Sequence, residues 1–251
     1  MITKHFHALQ RRIDMFDDDL ELFDVLRRSV LGGDLSDEND ACILSRVDPA
    51  AHTHLSRRQN SDHNRLLTIN HLRKTVYTSY TKDIYEELTE YLRRILTMAA
   101  LVGFDGGRLV GEHSAKMDIR TVLQLGSWEK LCEELSANVF QSLEAERSTP
   151  ALLRKMRTKL DLAFDEALID AALPYLEARH LLVHVDGAIN QDFRNKYPTV
   201  TEQNGKVLVN YQFVRSLRDA VLALADAFDR ELVAKGLVAD GHMHLAPQAA
   251  Q

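Results

Sequence analysis

Apolar residues recur at three- and four-residue steps along most of this chain, which is the spacing of an amphipathic α-helix. The longest such stripe falls between about residues 62 and 102, and others fall at about 6–31, 128–145 and 210–235. Each apolar stripe must be buried against another element. The pattern therefore predicts an all-α bundle built around the helix at 62–102.

Residues with strong end preferences delimit the predicted helices. Ser127 and Asn210, and either Ser61 or Asp62, are placed to accept hydrogen bonds from the first free N–H groups of the helices that begin beside them. Thr149 as a cap, followed by Pro150, predicts a helix that runs to about residue 160 and continues to about 169. Pro174 is expected either to kink the chain or to open the next helix. Gly236 ends the last helix.

The segments between these helices carry weaker signals. Residues 34–62 are polar and irregular, with one short helix expected from Glu38 to Arg46. A second short helix is expected near Ala115. Asn204-Gly205 lies between two short runs rich in Val and Thr, which is typical of a tight turn, so we predict a small β-hairpin there.

One further helix carries the residues with the most chemistry. It contains the run Glu177-Ala178-Arg179-His180-Leu181-Leu182-Val183-His184-Val185-Asp186-Gly187 and is expected to end by Asp186. His180 and His184 are four residues apart and share one face of a helix. Arg179 lies about one residue around the side. All three side chains are expected to point into one solvent-lined cleft, with residues 181–183 on the buried side.

This run resembles the HEPN family, whose ribonucleases carry an Arg, a polar residue, three variable residues and a His. Arg179, His180 and His184 fall on those positions. The continuation His184-x-x-Gly187-x-x-Asn190 is also similar to that family, and the resemblance covers roughly residues 62–236. We therefore expect a HEPN-like helical bundle at 61–236, an N-terminal helical extension at 1–60 and a flexible tail at 237–251.

The resemblance implies a metal-independent endoribonuclease that needs no cofactor. RNA carries its own nucleophile, the 2′-OH, so the enzyme must remove that proton, neutralise the growing charge on phosphorus and protonate the leaving 5′ oxygen. An imidazole suits proton transfer, and a guanidinium suits phosphoryl oxygens. Arg179 is expected to stabilise the pentacoordinate phosphorus, His184 to act as general base or acid, and His180 to orient the partner groups or touch the phosphate.

The expected partners follow from the same resemblance. One helix supplies few groups, and HEPN ribonucleases commonly place two motif helices across a twofold axis, which implies a homodimer with a composite active site. RNA is the expected substrate. A toxin–antitoxin or phage-defence setting, with an antitoxin protein as a further partner, comes entirely from the resemblance. Weaker RNA contacts are assigned to residues at or just beyond the motif, namely Asp186, Asn190, Arg194 and Lys196.

Three other interpretations remain open. Arg179 can be a salt-bridged residue, paired with Glu177 or Asp186, and a His beside a Gly at a helix end can be a cap partner. His180 and His184 also have the spacing of two zinc ligands on one helix, with Asp186 or a distant His as the third; the Glu that follows the first His in metalloproteases is replaced here by Leu. The third interpretation is a non-catalytic HEPN module that binds a partner protein or a nucleotide.

Composition limits the function. The formal net charge of −6 provides no global basic field, so RNA binding must come from a local patch, and the acidic balance supports the non-catalytic alternative. A chain of 251 residues with 45% hydrophobic residues, 11 Gly and 5 Pro fits one large helical domain, with or without an extension. Neither the GxxxxGK[ST] phosphate loop nor a GxGxxG fingerprint occurs.

Three features predict the compartment. Cys42 and Cys132 are far apart and form no C-x-x-C pair, which fits a reducing cytoplasm. Residues 1–7 lack the apolar core of a signal peptide. The longest apolar run, at 95–104, is about half of a membrane span. We therefore expect a cytoplasmic protein without membrane contact.

Overall fold

The computed structural model describes residues 1–111 and 117–244, and over these residues the protein is all-α. The helices are α1 Lys4–Gly32, α2 Asp62–Leu101, α3 Gly106–Val110, α4 Ile119–Leu125, α5 Trp128–Ala145, α6 Thr149–Lys159, α7 Ala167–His184, α8 Gln191–Lys196 and α9 Tyr211–Ala234. The strands are β1 Ile2–Thr3, β2 Glu202–Gln203, β3 Lys206–Val207 and β4 Met243–His244. β1 pairs antiparallel with β4, and β2 with β3. The predicted all-α class and the small hairpin at Asn204-Gly205 are confirmed.

The helix starts follow from side chains that accept hydrogen bonds from free N–H groups. Ser61, Ser127 and Asn210 cap α2, α5 and α9 in this way, as their sequence positions predicted. For α6 the cap is Ser148, one residue earlier than predicted, since Thr149 already belongs to the helix. The local chemistry of these caps explains why most of the long helix starts were predictable.

The core is organised around α2, against which α1, α5, α7 and α9 pack. One stripe of α2 is almost entirely buried, including Ile84, Leu88, Leu92 and Ile95. The apolar face of α1 belongs to the same core cluster, so the N-terminal helix packs as part of this bundle. Among the described helices, none is both long enough and apolar enough to cross a membrane.

Several local predictions are wrong. The short helix expected from Glu38 to Arg46 does not form; this segment is irregular and is held by a bridge between Cys42 and Gln59 and by the buried Ile43. α6 does not continue to residue 169, because Asp161 adopts a left-handed conformation directly after it. Of the two alternatives for Pro174, the one in which it opens α7 is wrong, because α7 begins at Ala167 and continues through Pro174. The helix α8 was not predicted.

The C-terminal segment also differs from its prediction. A flexible tail was expected from residue 237, but Leu237 is buried and Met243–His244 pairs with the N-terminal strand. The pairing brings the two ends of the described chain together beside α9. Residues 245–251, and the short helix predicted near Ala115, lie outside the described residues.

Candidate functional site

The motif lies on the last turn of α7, which the fold anchors from one side. Ala178 and Leu181 are buried in the core, whereas Val183, expected on the buried side, is 37% exposed. Gly187 has a φ of +78°, and its carbonyl accepts a 2.9 Å hydrogen bond from the Val207 N–H of β3. A side chain at Gly187 would force this left-handed conformation on a residue type that avoids it. The turn is therefore fixed between the core and the hairpin.

His180 and His184 are exposed and lie against each other. Their ring centroids are 4.5 Å apart, with an angle of 49° between the ring planes. This is the neighbouring placement that the four-residue spacing on a helix predicted. Two imidazoles that face solvent at this distance can both reach one bound molecule.

Arg179 is half-buried and rests on an aromatic ring of α2. Its guanidinium carbon lies 4.5 Å from the centroid of the Tyr85 ring. Its Nε is buried without a hydrogen-bond partner, and no carboxylate of the described residues forms an ion pair with it. The structural interpretation in which Arg179 pairs with Glu177 or Asp186 is therefore wrong. The positive charge of Arg179 is positioned but not neutralised.

The ring beneath Arg179 is itself held in place. Tyr85 is half-buried and lies close to Thr149 at the start of α6. Burial raises the pKa of the Tyr85 hydroxyl, an effect that the nearby guanidinium partly opposes. Tyr85 therefore stays neutral and offers its ring face to the guanidinium, a favourable arrangement for a cation.

Asp186 joins three elements rather than facing the His pair. It forms ion pairs with Lys74 of α2, at 2.8 Å, and with Lys206 of β3. The hydrogen bond from Lys206, followed by that from Lys74, lowers the pKa of the Asp186 carboxyl to about 2. Asp186 is thus an anion engaged by two lysines, not the third metal ligand considered from the sequence. Within residues 1–111 and 117–244, no group of three or more His, Cys, Asp or Glu is arranged to hold a metal ion.

The residues beyond the motif make contacts within the segment that follows α7. The Asn190 side chain caps α8 by accepting a 2.8 Å hydrogen bond from the Phe193 N–H. Arg194 donates two hydrogen bonds to Glu202 of the hairpin, at 3.0 and 2.8 Å. Lys196 lies 5.1 Å from the centroid of the Tyr197 ring. These contacts give Asn190 and Arg194 a role in building the segment, whereas Lys196 is exposed and has no ion pair with the described residues.

Sequence reasoning missed the contribution of α2 to this surface. A groove of about 320 Å³ runs along α2 and is lined by His71, Lys74, Thr75, Thr78, Ser79 and Lys82. It lies beside the motif turn, because Lys74 contacts Asp186 and Tyr85, one turn beyond Lys82, contacts Arg179. The available signal was the run of polar and basic positions at helical spacing on the side of α2 opposite its apolar stripe.

We compared the chain with known protein families, curated proteins and solved structures. The chain matches no protein-family model, no curated protein and no solved structure. The resemblance to HEPN ribonucleases therefore depends on the motif residues themselves. What the site does has to be argued from its geometry.

Proposed function

We propose that this protein is a metal-independent endoribonuclease of HEPN type. The observation that carries the proposal is the last turn of α7, where two exposed imidazoles have centroids 4.5 Å apart and the guanidinium of Arg179 beside them forms no ion pair with a carboxylate of the described residues. Groups of this kind can move protons and hold a phosphoryl group without any further component. Their exposure and lack of ion pairs support a role in binding and reaction.

The reaction would use the 2′-OH of RNA as the nucleophile. One imidazole, with His184 as the first candidate, removes the 2′ proton while the O2′–P bond forms. Arg179 pairs with the nonbridging oxygens as charge accumulates on the pentacoordinate phosphorus. The P–O5′ bond breaks, and the leaving 5′ oxygen takes a proton from a second imidazole. The products are a 2′,3′-cyclic phosphate and a 5′-hydroxyl, and His180 orients these groups or contacts the phosphate.

The position of His184 favours this chemistry. It is the last residue of α7, where the free carbonyl groups of the helix end stabilise a positive charge. An imidazole that takes up the 2′ proton becomes a cation and is stabilised there. A proton acceptor at the opposite end of a helix would lack this assistance.

Local charge supports RNA as the substrate even though the whole chain is acidic. Lys74 and Lys206 share the single carboxylate of Asp186, so that this cluster retains one net positive charge beside the His pair. Lys82 adds a further cation along the α2 groove. A local field of this sign attracts a phosphodiester backbone independently of the net charge of −6.

A homodimer would complete the site. One α7 turn provides two imidazoles and one guanidinium, and a twofold axis beside it would provide a second set. Val183 and Val185 flank His184 and are 37% and 49% exposed, so the surface around the motif has apolar area to bury. Leu66, Leu67 and Leu72 of α2 are also exposed. A toxin or phage-defence role, with an antitoxin partner, is part of this proposal.

Purified protein incubated with total RNA in EDTA tests the proposal. The wild type should cut RNA and leave cyclic phosphate ends, and an oligonucleotide with one 2′-deoxy sugar at the cleavage position should stay intact there. His184→Ala should be inactive, whereas the matched control His63→Ala, an exposed histidine at the start of α2, should cut normally.

The outcomes separate the alternatives. Cleavage of the deoxy substrate, or loss of activity in EDTA with rescue by Zn²⁺, would favour a metal site that uses His180 and His184. RNA that binds without being cut would favour a non-catalytic HEPN module. An intact RNA pool with no binding at all would reject RNA as the ligand.

A further inference from the structure

Two His-x-His segments lie near opposite ends of the described chain and meet in the fold. His5-Phe6-His7 occupies the first turn of α1, and His242-Met243-His244 leads into and forms β4. The antiparallel pairing of β1 with β4 sets Ile2 opposite His244 and Thr3 opposite Met243. We call the four imidazoles of His5, His7, His242 and His244 the histidine clasp.

The clasp consists of two stacked pairs. The His7 and His244 rings are nearly parallel, at 15°, with centroids 3.8 Å apart. The His5 and His242 rings are stacked with centroids 5.8 Å apart. All four residues are half-buried. Neutral imidazoles can stack in this way, but two imidazolium ions at about 4 Å repel each other.

The surroundings of the clasp are predominantly cationic. His5 faces Arg94 and Glu90 of α2, and the Lys4 ammonium donates a hydrogen bond to the Gly241 carbonyl beside it. On α1, Lys4 and Arg11 lie one turn before and after His7. Among the described residues, Glu87 and Glu90 of α2 line the cavity beside His5 together with Arg12 and Arg94, and Asp240 lies two residues before His242. Glu87 is already paired with Arg12, so it offers a second positive charge on the clasp little compensation.

The environment of His5 shows the direction of the pH effect. Burial, followed by the charges of His242 and Arg94, lowers the pKa of His5 below 6.5, and Glu90 opposes this only partly. A lowered histidine pKa means that the released state binds more protons than the clasped state. The contribution of His5 to the stability of the clasped state is therefore fully present above pH 6.5 and is lost as the pH falls through the lowered pKa.

The other side of the clasp is fixed in the core. The buried carboxylate of Asp229 on α9 accepts hydrogen bonds from the Thr3 N–H at 3.0 Å and from the Thr3 hydroxyl. It also accepts one from the Tyr91 hydroxyl, at 3.2 Å. Burial raises the pKa of Asp229, so acid favours rather than opposes its folded environment. If the pairing of β1 with β4 opens in acid, β4 is the strand that leaves.

We propose that the histidine clasp is an acid-sensitive attachment that holds residues 237–244 to the start of α1 at neutral pH and releases them when its imidazoles are protonated. The proposal does not depend on the ribonuclease proposal, because none of its residues belongs to the α7 turn. The consequence is a local opening, with the helical bundle remaining folded.

Hydrogen exchange of the full chain at pH 7.5 and pH 5.5, corrected for intrinsic exchange rates, tests this inference. The peptide covering residues 237–244 should lose protection by roughly fivefold or more at the lower pH, the factor that corresponds to repulsion between two unit charges about 4 Å apart in water. The β2–β3 hairpin contains no histidine and should keep the same protection at both values. Equal protection of residues 237–244 at both values would overturn the proposal.

A ring that stacks but cannot be protonated provides the decisive variant. His7→Phe combined with His244→Phe should preserve the strand at pH 7.5 and should reduce its loss of protection at pH 5.5, since the His5–His242 pair remains. The control His54→Phe with His63→Phe changes two histidines away from the clasp and should respond like the wild type. A Phe variant that still loses protection in acid to the wild-type extent would assign the effect to other groups and reject the clasp.

Discussion

Replacing Arg179 with Ala distinguishes a role of this residue in the reaction from a role in the stability of the fold. In the structure its guanidinium rests on the Tyr85 ring, and its removal leaves no carboxylate of the described residues unpaired. The lost cation–π contact is worth about 1 kcal/mol for a half-buried pair. Breaking a buried ion pair would instead cost about 3–5 kcal/mol. We therefore expect a small decrease in the free energy of unfolding.

The expected effect on RNA cleavage is much larger. Removing one preorganised group that stabilises transition-state charge typically lowers the rate by about 10²–10³-fold, or about 3–4 kcal/mol. Arg179→Ala should therefore lower kcat/KM for RNA by that factor while urea unfolding shifts by only about 1 kcal/mol. Initial rates on a labelled oligonucleotide and a urea titration of the same preparation give the two quantities.

A matched control exists on α6. Arg157 also lies over an aromatic ring, 5.4 Å from the centroid of Phe164, and its Nε donates a hydrogen bond to the Phe164 carbonyl. Arg157→Ala should destabilise the fold at least as much and leave cleavage unchanged. Full activity in Arg179→Ala would refute the reasoning. So would a loss of activity that merely follows the loss of folded protein.

Three further predictions concern the site and its frame. Mixed dimers of Arg179→Ala and His184→Ala chains should recover part of the activity that each variant lacks, and light scattering that shows an active monomer would contradict the shared site. Asp186→Asn frees Lys74 and Lys206, so RNA should bind more tightly and with a steeper dependence on salt, measured by anisotropy. Because the pKa of Asp186 is lowered from 3.8 to about 2, the wild-type ion pairs should persist as the pH falls to about 4 and be lost only toward 2. Asp229→Ala leaves the N–H and hydroxyl of Thr3 unpaired in the core, whereas the Tyr91 hydroxyl keeps the Ala225 carbonyl as acceptor; the variant should cost about 3 kcal/mol in urea unfolding, and a loss below about 1 kcal/mol would contradict this role.

The sequence predicted those features of the fold that depend on neighbouring residues. The α2 stripe and the caps at Ser61, Ser127 and Asn210 involve residues a few positions apart. The structure has the three caps and buries most of the stripe, except near its start, where Leu66 and Leu72 are exposed. Pro174 left the start of α7 undecided in the sequence, and the structure continues the helix through it, with Ile169 and Ala172 buried before the proline. The short helix expected from Glu38 to Arg46 failed because the pairing with Gln59 is a long-range contact.

For the site, as for the fold, the sequence predicted contacts within one helix but not contacts between elements. The four-residue spacing was sufficient to bring His180 and His184 together. The other contacts of the site come from distant parts of the chain. Tyr85 of α2 lies more than 90 residues before Arg179, and Lys206 of β3 lies about 20 residues after Asp186. Periodicity on one helix contains no information about which residue of another helix will face it. The same limit hid the clasp, whose two His-x-His segments are separated by nearly the whole chain.

The residues that fix the α7 turn are not the residues that would react. Gly187 forms the left-handed end of the turn, and Leu181 is buried in the core. Asp186 forms ion pairs with Lys74 and Lys206. His180 and His184 contact each other and are otherwise exposed. A turn that was only structural would gain nothing from two exposed imidazoles, because neither is buried and neither holds another element. Substitutions in the first set should therefore change stability, and substitutions in the second set should change only binding and chemistry, which makes the two kinds of role separable in a single chain.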